Sequence, residues 1–350
     1  FFKLFIYISS WRANRLIAVS ESTKKDTIKF LGASNKIDVV YEAVDSKYYP
    51  FKNESMTSMI MRKYGIFNKF ILYVGTLEPR KNIVRLIQAY YNLIIKNNIT
   101  YQLVIVGKKG WYYQEIFNIA NKLDLNKNEQ KIIFAGYVPE KELPFLYNTA
   151  DLFLYPSLYE GFGIPPLEAL ACGVPVISSN VSSLPEVVGD AGMLIDPYNV
   201  QEISQAMFEM LKNHKKKEQF RIKGLKRAEK YSNKKMIEEL KKSRTKIDGI
   251  YYCPHDENDN CNCRKPKIGL FLEAKKDFNI VMSESWLVGD SYSEIIAGKK
   301  AGCKTILIKN KDRNNNTQHI LMRIKEIKPD FFTKNLNRAV CKLAIKSWKC

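Results

Sequence analysis

Short apolar runs alternate with helical patterns along most of the chain. Between two such runs, apolar residues recur at helical spacing at Ile83, Leu86, Ile87 and Tyr90. Strands that alternate with helices in this way are typical of parallel sheets. The pattern therefore predicts an α/β fold with a parallel sheet. The runs that predict buried strands are residues 70–75, 101–106, 131–134, 151–155, 174–178 and 305–308.

The apolar periodicity fades in a basic stretch at residues 230–246, and a further predicted strand begins at residue 247. This change predicts a boundary between two domains, the first over residues 21–240 and the second over residues 246–340. The chain has 350 residues, of which 45% are hydrophobic. That is enough for a core of ordinary size in each of two domains.

A glycine turn follows the predicted strand at 151–155. Gly161 and Gly163 allow the chain to turn, and the two prolines that follow suit a first helical turn. Free backbone amides and the positive end of a helix dipole attract a diphosphate without a metal. Glu160 and Glu168 flank the turn as acceptors for sugar hydroxyls, which predicts a site for sugars and phosphates. The alternative is that both are solvated charges beside an ordinary loop.

A second strand-loop-helix unit places cations close to this turn. The run at 70–75 ends in Gly75, and Arg80 and Lys81 follow in the loop before the helical pattern. If the two strands are neighbours in one parallel sheet, their loops meet at the carboxyl edge, where ligands bind. Arg80 and Lys81 are then expected to hold the phosphates.

Five motifs together closely resemble the nucleotide-sugar half of retaining, two-domain GT-B glycosyltransferases, and this resemblance implies a Rossmann-like parallel sheet. The family is the glycogen-synthase-like, mannosyltransferase-rich family 4, and the likeness spans residues 12–240. It implies a nucleoside-diphosphate sugar as donor and a glycan or lipid-linked acceptor in the synthesis of surface polysaccharide. The motifs are residues 74–82, 135–139, 155–169, 173–177 and 184–186.

The resemblance also assigns donor-binding roles, but it leaves the catalytic residues unknown. It implies that Arg80 and Lys81 contact the donor diphosphate. Glu160 and the amides near Phe162 and Gly163 are expected to contact the transferred sugar, and Glu168 is expected to hold the ribose hydroxyls. The full set of expected donor-binding residues is Gly75, Arg80, Lys81, Glu160, Gly161, Phe162, Gly163 and Glu168.

Enzymes of this family have an acceptor-binding domain before the donor-binding one. Residues 1–20 resemble the last helix and strand of that domain, so the chain is expected to be a fragment or a truncated gene product. A donor half alone is expected to bind the nucleotide sugar and to transfer it slowly or not at all, because orientation of the two reactants supplies much of the rate enhancement.

Three thiols and an imidazole cluster within eleven residues after the boundary. They are Cys253, His255, Cys261 and Cys263, with a polar loop between them. Four ligands of this kind suit tetrahedral zinc, and a site with four protein ligands is structural rather than catalytic. The alternatives are reduced surface cysteines or a disulfide, and a disulfide is disfavoured in a chain expected to be cytosolic.

The region over residues 246–340 resembles the second half of a haloacid-dehalogenase (HAD) type phosphatase, specifically the D,D-heptose 1,7-bisphosphate phosphatases. The resemblance implies a partial HAD-like α/β domain with a zinc loop. It implies that Arg264 and Lys265 meet a substrate phosphate and that Asp290 binds magnesium. Glu294 stands where the family has aspartate, and it is a further candidate ligand for magnesium.

The nucleophile of that phosphatase family is missing from the sequence. The family has an Asp-x-Asp-Gly element and a Thr-Asn-Gln loop, and neither occurs here in the required context. Without a carboxylate to take the phosphoryl group there is no covalent route. Little or no phosphatase activity is therefore expected.

The net charge is +20, concentrated in basic runs such as residues 212–217 and 241–246. Such a field attracts nucleotide sugars and, weakly, an anionic membrane surface. Nucleic acid is not expected, because no base-stacking or helix-turn-helix pattern accompanies the basic runs. The apolar stretch at residues 1–8 is too short to cross a bilayer. We expect a cytoplasmic protein that lies peripherally at the inner membrane face.

Three functional interpretations remain open from the sequence. The first is a glycosyltransferase with an appended, incomplete sugar-phosphate phosphatase module. The second is a non-catalytic remnant that binds nucleotide sugar and zinc. The third is a working heptose bisphosphate phosphatase.

Overall fold

The computed structural model divides the chain into two units, Phe1–Thr245 and Lys246–Cys350. It describes residues 10, 13, 15–32, 36–97, 99–123, 131–232, 235, 236, 238, 249, 251, 253, 261–308 and 328–333.

The first unit begins with a small parallel sheet. Its strands are β1 (Leu16–Ala18) and β2 (Ile37–Val39), and helix α1 (Glu21–Leu31) connects them. Ser20 caps α1, because its side chain accepts a hydrogen bond from the Thr23 backbone N–H at 3.0 Å.

The main sheet of this unit has six described strands, all parallel. In spatial order they run β5-β4-β3-β6-β7-β8. Eight described α-helices precede, separate or follow these strands along the chain. The strands are β3 (Phe70–Val74), β4 (Gln102–Val106), β5 (Ile132–Gly136), β6 (Leu152–Tyr155), β7 (Val176–Ser179) and β8 (Met193–Ile195). The helices are α2 (Glu54–Lys63), α3 (Ile83–Asn97), α4 (Gln114–Lys122), α5 (Leu143–Thr149), α6 (Ile164–Ala171), α7 (Leu184–Val188), α8 (Val200–Lys212) and α9 (His214–Glu229).

The strand order reverses between β3 and β6. From β3 the chain proceeds outward to β4 and β5, and from β6 it proceeds in the other direction to β7 and β8. The two central strands pair directly, with Ile71 opposite Leu152 and Leu72 opposite Phe153. Such a reversal opens a crevice outside the carboxyl ends of the strands, which is where open α/β sheets bind ligands.

The core lies on both faces of the main sheet. All residues of β4, β6 and β7 are buried, as parallel strands require when helices cover both faces. The apolar stripe of α3 is also buried, with Ile83, Leu86, Ile87 and Tyr90 at 0% exposure. The predicted parallel α/β fold is therefore confirmed, and the observed strand bounds lie within two residues of the expected ones.

The second unit contains a three-stranded parallel sheet in its described part, in the order β11-β10-β9. The expected strand at 305–308 is β10, and an amphipathic stretch before it forms helix α10. Of the predicted strand at 247–252 only residues 249 and 251 are described, and neither lies in a strand. The elements are α10 (Gly269–Phe278), β9 (Trp286–Gly289), α11 (Tyr292–Lys300), β10 (Lys304–Ile308) and β11 (Phe331–Thr333).

Among the helices that the structure describes, none combines the length and the apolar character needed to cross a bilayer.

Candidate functional site

The loop after β3 carries the two predicted cations to the crevice. A short 3-10 turn over Pro79–Lys81 ends at Asn82, whose backbone is left-handed with φ 59°. The Asn82 side-chain amide donates hydrogen bonds to the carbonyl oxygens of Pro156 at 3.0 Å and Pro197 at 2.7 Å. The loop after β3 is thereby tied to the loops after β6 and β8. Asn82 belongs to the motif at residues 74–82, but the sequence predicted no role for it.

Arg80, Lys81 and Glu160 form one ion cluster, which we call the Glu160 cluster. Arg80 Nη1 lies 2.8 Å from Glu160 Oε2, and Lys81 Nζ lies 2.6 Å from Glu160 Oε1. Lys81 and Glu160 are each only 8% exposed. The structure thus brings together three residues that the sequence placed in two separate loops, because β3 and β6 are neighbours.

Burial and charge act in opposite directions on the Glu160 cluster. Burial alone raises the pKa of Glu160, but Lys81, Ser157 and Arg80 outweigh it and hold the pKa below its ordinary value. Burial lowers the pKa of Lys81, and the adjacent Glu160 carboxylate offsets only part of that shift. The cluster therefore keeps an ionised carboxylate beside a partly desolvated ammonium group, which an incoming anion can stabilise.

Glu78 and Trp111 extend the cluster, and sequence reasoning missed both. Arg80 donates to Glu78 Oε1 from Nε at 3.1 Å and from Nη2 at 2.7 Å. The Trp111 indole N–H donates to Glu78 Oε2 at 2.9 Å. Glu78 lies inside the motif at residues 74–82, close to Arg80 and Lys81 in the sequence. This proximity to two cations is the sequence signal that could have indicated its role. Glu78 orients the Arg80 guanidinium toward Glu160.

The glycine turn after β6 is held by hydroxyl groups. Gly163 begins α6 with φ 132° and without a side-chain cap. The Gly161 carbonyl oxygen accepts from the hydroxyls of Ser20 at 2.7 Å and Thr23 at 2.9 Å. The Ser183 hydroxyl contacts the carbonyl oxygen of Glu160 at 3.0 Å. These contacts restrain the turn, so its amides are preorganised at the N-terminus of a helix.

The ring of Phe162 belongs to the core. It is 3% exposed, and it packs against Tyr41 and Tyr231 with ring centroids 6.1 and 5.6 Å away. The ring of Phe162 is therefore not available to a ligand, and the contact expected from its backbone amide stays a prediction. Gly75 directly follows β3, and a β carbon at this position would lie 2.7 Å from the Tyr73 hydroxyl oxygen.

Glu168 lies in a different environment from Glu160. The Tyr147 hydroxyl donates to Glu168 Oε2 at 2.8 Å, and the Tyr48 hydroxyl also interacts with this carboxylate. Burial raises the pKa of Glu168 to about 7, and the hydrogen bonds from the two tyrosines oppose part of the rise. Its described partners are thus phenols rather than cations. Tyr147 and Tyr48 were missed by sequence reasoning.

Three of the four predicted zinc ligands lie together. The Sγ atom of Cys253 lies 3.6 Å from that of Cys261 and 3.2 Å from that of Cys263, and all three lie within 4.8 Å of one another. Desolvation opposes ionisation of Cys261, but hydrogen bonds from Cys263, the backbone and Cys253 lower its pKa to about 7. Three convergent thiols fit a soft metal ion. His255 lies outside the described residues.

Three of the four predicted phosphate and magnesium residues meet at the end of β9, namely Lys265, Asp290 and Glu294. Lys265 Nζ lies 2.5 Å from Glu294 Oε1, and Glu294 Oε2 accepts from the backbone N–H groups of Asp290 at 2.9 Å and Ser291 at 3.3 Å. With Ser291, Glu294 forms the capping box of α11. Both carboxylate oxygens of Glu294 are therefore engaged within the chain. Arg264 precedes Lys265, and the structure provides no direct test of its expected role.

A part of each unit matches a family of known proteins. The sequence matches the family described as glycosyl transferases group 1 over residues 57–227 and the family described as HAD-hydrolase-like over residues 262–339. O-antigen chain mannosyltransferase B of Escherichia coli is 38% identical over 222 residues, which are 63% of this chain and 57% of that protein. O-antigen chain mannosyltransferase RfbU of Salmonella typhimurium is 30% identical over 202 residues, which are 56% of this chain and 51% of that protein. The chain spans about half the length of these two curated relatives.

Solved structures agree on the fold. Anabaena HepE, in complex with UDP and glucose, has a TM-score of 0.62 at 21% identity and covers 69% of this chain, which itself covers 65% of HepE. The lipopolysaccharide glycosyltransferase WaaG has a TM-score of 0.57 at 19% identity, with 67% of this chain and 63% of WaaG covered. At these identities the likeness shows the GT-B type fold alone.

The comparisons confirm the two family resemblances, while the family 4 and heptose phosphatase specifics stay predictions. Residues 57–227 match the glycosyl transferases group 1 family, and residues 262–339 match the HAD-hydrolase-like family. The parallel sheet of the first unit has a GT-B type fold.

Proposed function

We propose that the first unit binds a nucleoside-diphosphate mannose and that the whole protein transfers the mannosyl residue to a surface polysaccharide. The acceptor is a glycan or a lipid-linked glycan, and the anomeric configuration is retained. Both relatives described above are O-antigen chain mannosyltransferases, which supports mannose as the sugar and a surface glycan as the product.

The Glu160 cluster at the strand-order reversal is the observation that carries this proposal. Two cations and a carboxylate meet where β3 and β6 end, beside a restrained glycine turn. Arg80 and Lys81 neutralise the diphosphate charge, and the amides at the start of α6 add donors for its oxygens. Glu160 then accepts hydrogen bonds from the hydroxyls of the transferred sugar.

The remaining predicted roles follow from the same arrangement. Glu168 accepts hydrogen bonds from the ribose hydroxyls, since a carboxylate with few water contacts binds a diol by direct hydrogen bonds. Binding of the donor does not require a metal in this scheme, because side-chain cations and backbone amides supply the positive potential.

Titration of the full chain with donors tests the proposal. Isothermal calorimetry with GDP-mannose, UDP-glucose, GDP and UDP is expected to show binding of at least one nucleotide at micromolar to submillimolar concentration. Arg80→Ala and Lys81→Ala are each expected to weaken it by about tenfold to a hundredfold, because each removes a charge-assisted hydrogen bond worth about 1.5–3 kcal/mol.

Lys96→Ala is the matched control for Lys81→Ala. Lys96 lies in the last turn of α3, about 20 Å along the helix from the cluster. Its substitution by alanine removes the same charge from the chain as Lys81→Ala does. Its variant is expected to bind the donor like the wild type. Absence of binding by all four nucleotides at millimolar concentration contradicts the proposal, as does an equal loss in all three variants.

For the second unit we propose an appended phosphatase-like module with a structural zinc ion. Cys253, Cys261 and Cys263 hold the ion, with His255 as the predicted fourth ligand. Zinc would fix the loop in front of Arg264 and Lys265. At the end of β9 a magnesium ion would be held by Asp290, water and phosphate oxygens, since Glu294 is engaged with Lys265 and α11. We expect phosphate binding without hydrolysis.

The place of the protein in the cell also stays a proposal. The net charge of +20 favours a weak, salt-sensitive attraction to an anionic membrane surface. A cytoplasmic protein that lies peripherally at the inner face of the membrane has access to nucleotide sugars and to a lipid-linked acceptor.

A further inference from the structure

The hydroxyl of Tyr155 joins both charges of the Glu160 cluster. Lys81 Nζ donates to the Tyr155 hydroxyl at 2.6 Å and to Glu160 Oε1 at 2.6 Å. The Tyr155 hydroxyl donates to the same Glu160 oxygen at 3.0 Å. The three side chains therefore form a closed hydrogen-bonded triangle beneath the crevice.

Because the Tyr155 hydroxyl is buried, its hydrogen bonds contribute strongly to the stability of the Lys81–Glu160 ion pair. Tyr155 is 0% exposed, and water does not replace a lost hydrogen bond at such a position. A buried ion pair is costly unless further hydrogen bonds satisfy its atoms. A phenol both accepts and donates, so it serves the ammonium group and the carboxylate at once. A phenylalanine ring fills the same space but does neither.

We propose that Tyr155 is a positioning residue of the donor site, which holds Lys81 and Glu160 in the arrangement that receives the diphosphate and the sugar. When Lys81 turns toward phosphate, Tyr155 keeps a hydrogen bond to Glu160. The Glu160 carboxylate therefore stays in place while Lys81 also binds the donor phosphate. This inference rests on the donor binding proposed above and adds a residue that makes no contact with the donor itself.

Tyr73 provides a matched control on the neighbouring strand. It is also 0% exposed, and its ring stacks on that of Tyr155 with centroids 5.8 Å apart and an interplanar angle of 16°. In contrast to Tyr155, its hydroxyl has no hydrogen-bond partner among the described residues. Tyr73→Phe and Tyr155→Phe thus remove the same atom from two stacked, buried rings, and only one of those atoms belongs to the cluster.

Calorimetry of the full chain with GDP-mannose and UDP-glucose tests the inference. Tyr155→Phe is expected to weaken binding of whichever donor the wild type binds by about tenfold, which corresponds to about 1.4 kcal/mol. Tyr73→Phe is expected to bind that donor like the wild type, because deleting an unpaired buried hydroxyl breaks no hydrogen bond.

The pH dependence of binding separates positioning from a general loss of structure. The groups that face Lys81 are Glu160 and Tyr155 from β6 and its loop, and Arg80 and Glu78 from its own loop. Burial already lowers the pKa of Lys81, and loss of the phenol removes one acceptor of the ammonium group. Lys81 is therefore expected to lose its proton at a lower pH in Tyr155→Phe than in the wild type. As the pH is raised into the alkaline range, donor affinity is expected to fall earlier in this variant.

Three results overturn the inference. In the first, Tyr155→Phe and Tyr73→Phe bind the donor with the same affinity and the same pH dependence, while Lys81→Ala no longer binds it. Another is an equal loss in both tyrosine variants. The third is unfolding of Tyr155→Phe alone at the temperature of the assay, because the hydroxyl is then structural. A wild-type chain that binds no donor instead refutes the proposed function.

Discussion

At the scale of single residues, Glu168 shows how burial sets the behaviour of a carboxylate. Both Glu160 and Glu168 flank the same turn, but among the described residues cations lie within hydrogen-bonding distance of Glu160 and not of Glu168. The pKa of Glu160 is held below its ordinary value, whereas burial raises the pKa of Glu168 to about 7. The protein environment therefore shifts the pKa values of two carboxylates that lie eight positions apart in opposite directions.

The stability of the first unit is expected to depend on pH through Glu168. Between its ordinary pKa of 4.5 and its folded value of about 7, the folded chain holds a proton that the unfolded chain has released. The free energy of unfolding therefore falls as pH rises through this interval, by about 3 kcal/mol at about 1.4 kcal/mol per pKa unit. Urea unfolding of the wild type at pH 5 and pH 8, followed by circular dichroism, measures the fall.

Glu168→Gln isolates this contribution. The amide does not titrate, so the variant is expected to lose less stability than the wild type between the two pH values. Other titrating groups contribute equally to both chains and cancel in the comparison. An identical pH dependence in the two chains contradicts the assignment.

At the scale of elements, the turn between β6 and α6 uses its two glycines differently. Gly163 has φ 132°, a backbone conformation that side chains rarely adopt, and a β carbon there would lie 3.0 Å from Leu184 Cδ2. Gly161 lies outside that backbone region, and an added β carbon would have no neighbour closer than 3.9 Å. The sequence predicted that both glycines allow the turn, but only Gly163 has a conformation that requires glycine.

Alanine at each position tests this difference. Gly163→Ala is expected to lower the free energy of unfolding by about 1–3 kcal/mol, because it forces strain into the start of α6. It is also expected to weaken donor binding, since the amides of the turn shift. Gly161→Ala is expected to change stability by less than about 0.5 kcal/mol. Urea unfolding and donor calorimetry of both variants provide the measurement, and equal effects would contradict the geometry.

At the scale of the whole molecule, the chain carries two units, each with its own parallel sheet. The proposed donor site lies in the first unit, and the thiol cluster lies in the second. The two sites share no described residue. Metal binding at the cluster is therefore expected to leave donor binding unchanged.

Metal analysis of purified variants tests the zinc site. The wild type is expected to contain about one zinc ion per chain, and Cys261→Ser is expected to lose most of it, because the site then keeps fewer thiolate ligands. Cys303→Ser is the control, since Cys303 is a buried free thiol outside the cluster. Calorimetry with the donor is expected to give the same affinity for all three chains. Equal zinc content in the three chains would exclude the cluster as the ligand set.

The positions of six strands and of helix α3 were determined by the sequence alone. Apolar spacing, branched residues and glycine are local signals, and they predicted α3, the six strand runs and the turn before α6. The resemblance between motifs also identified both families, because these motifs lie within short continuous segments.

Only the tertiary structure decided which of these segments meet. Arg80 and Glu160 are 80 positions apart, and their contact exists because the strand order reverses between β3 and β6. The phenols around Glu168 and the Tyr155 hydroxyl in the Glu160 cluster depend likewise on packing between distant elements. Such contacts leave no periodic trace in the chain, since a tyrosine in a buried strand has the same local pattern whether its hydroxyl is paired or not.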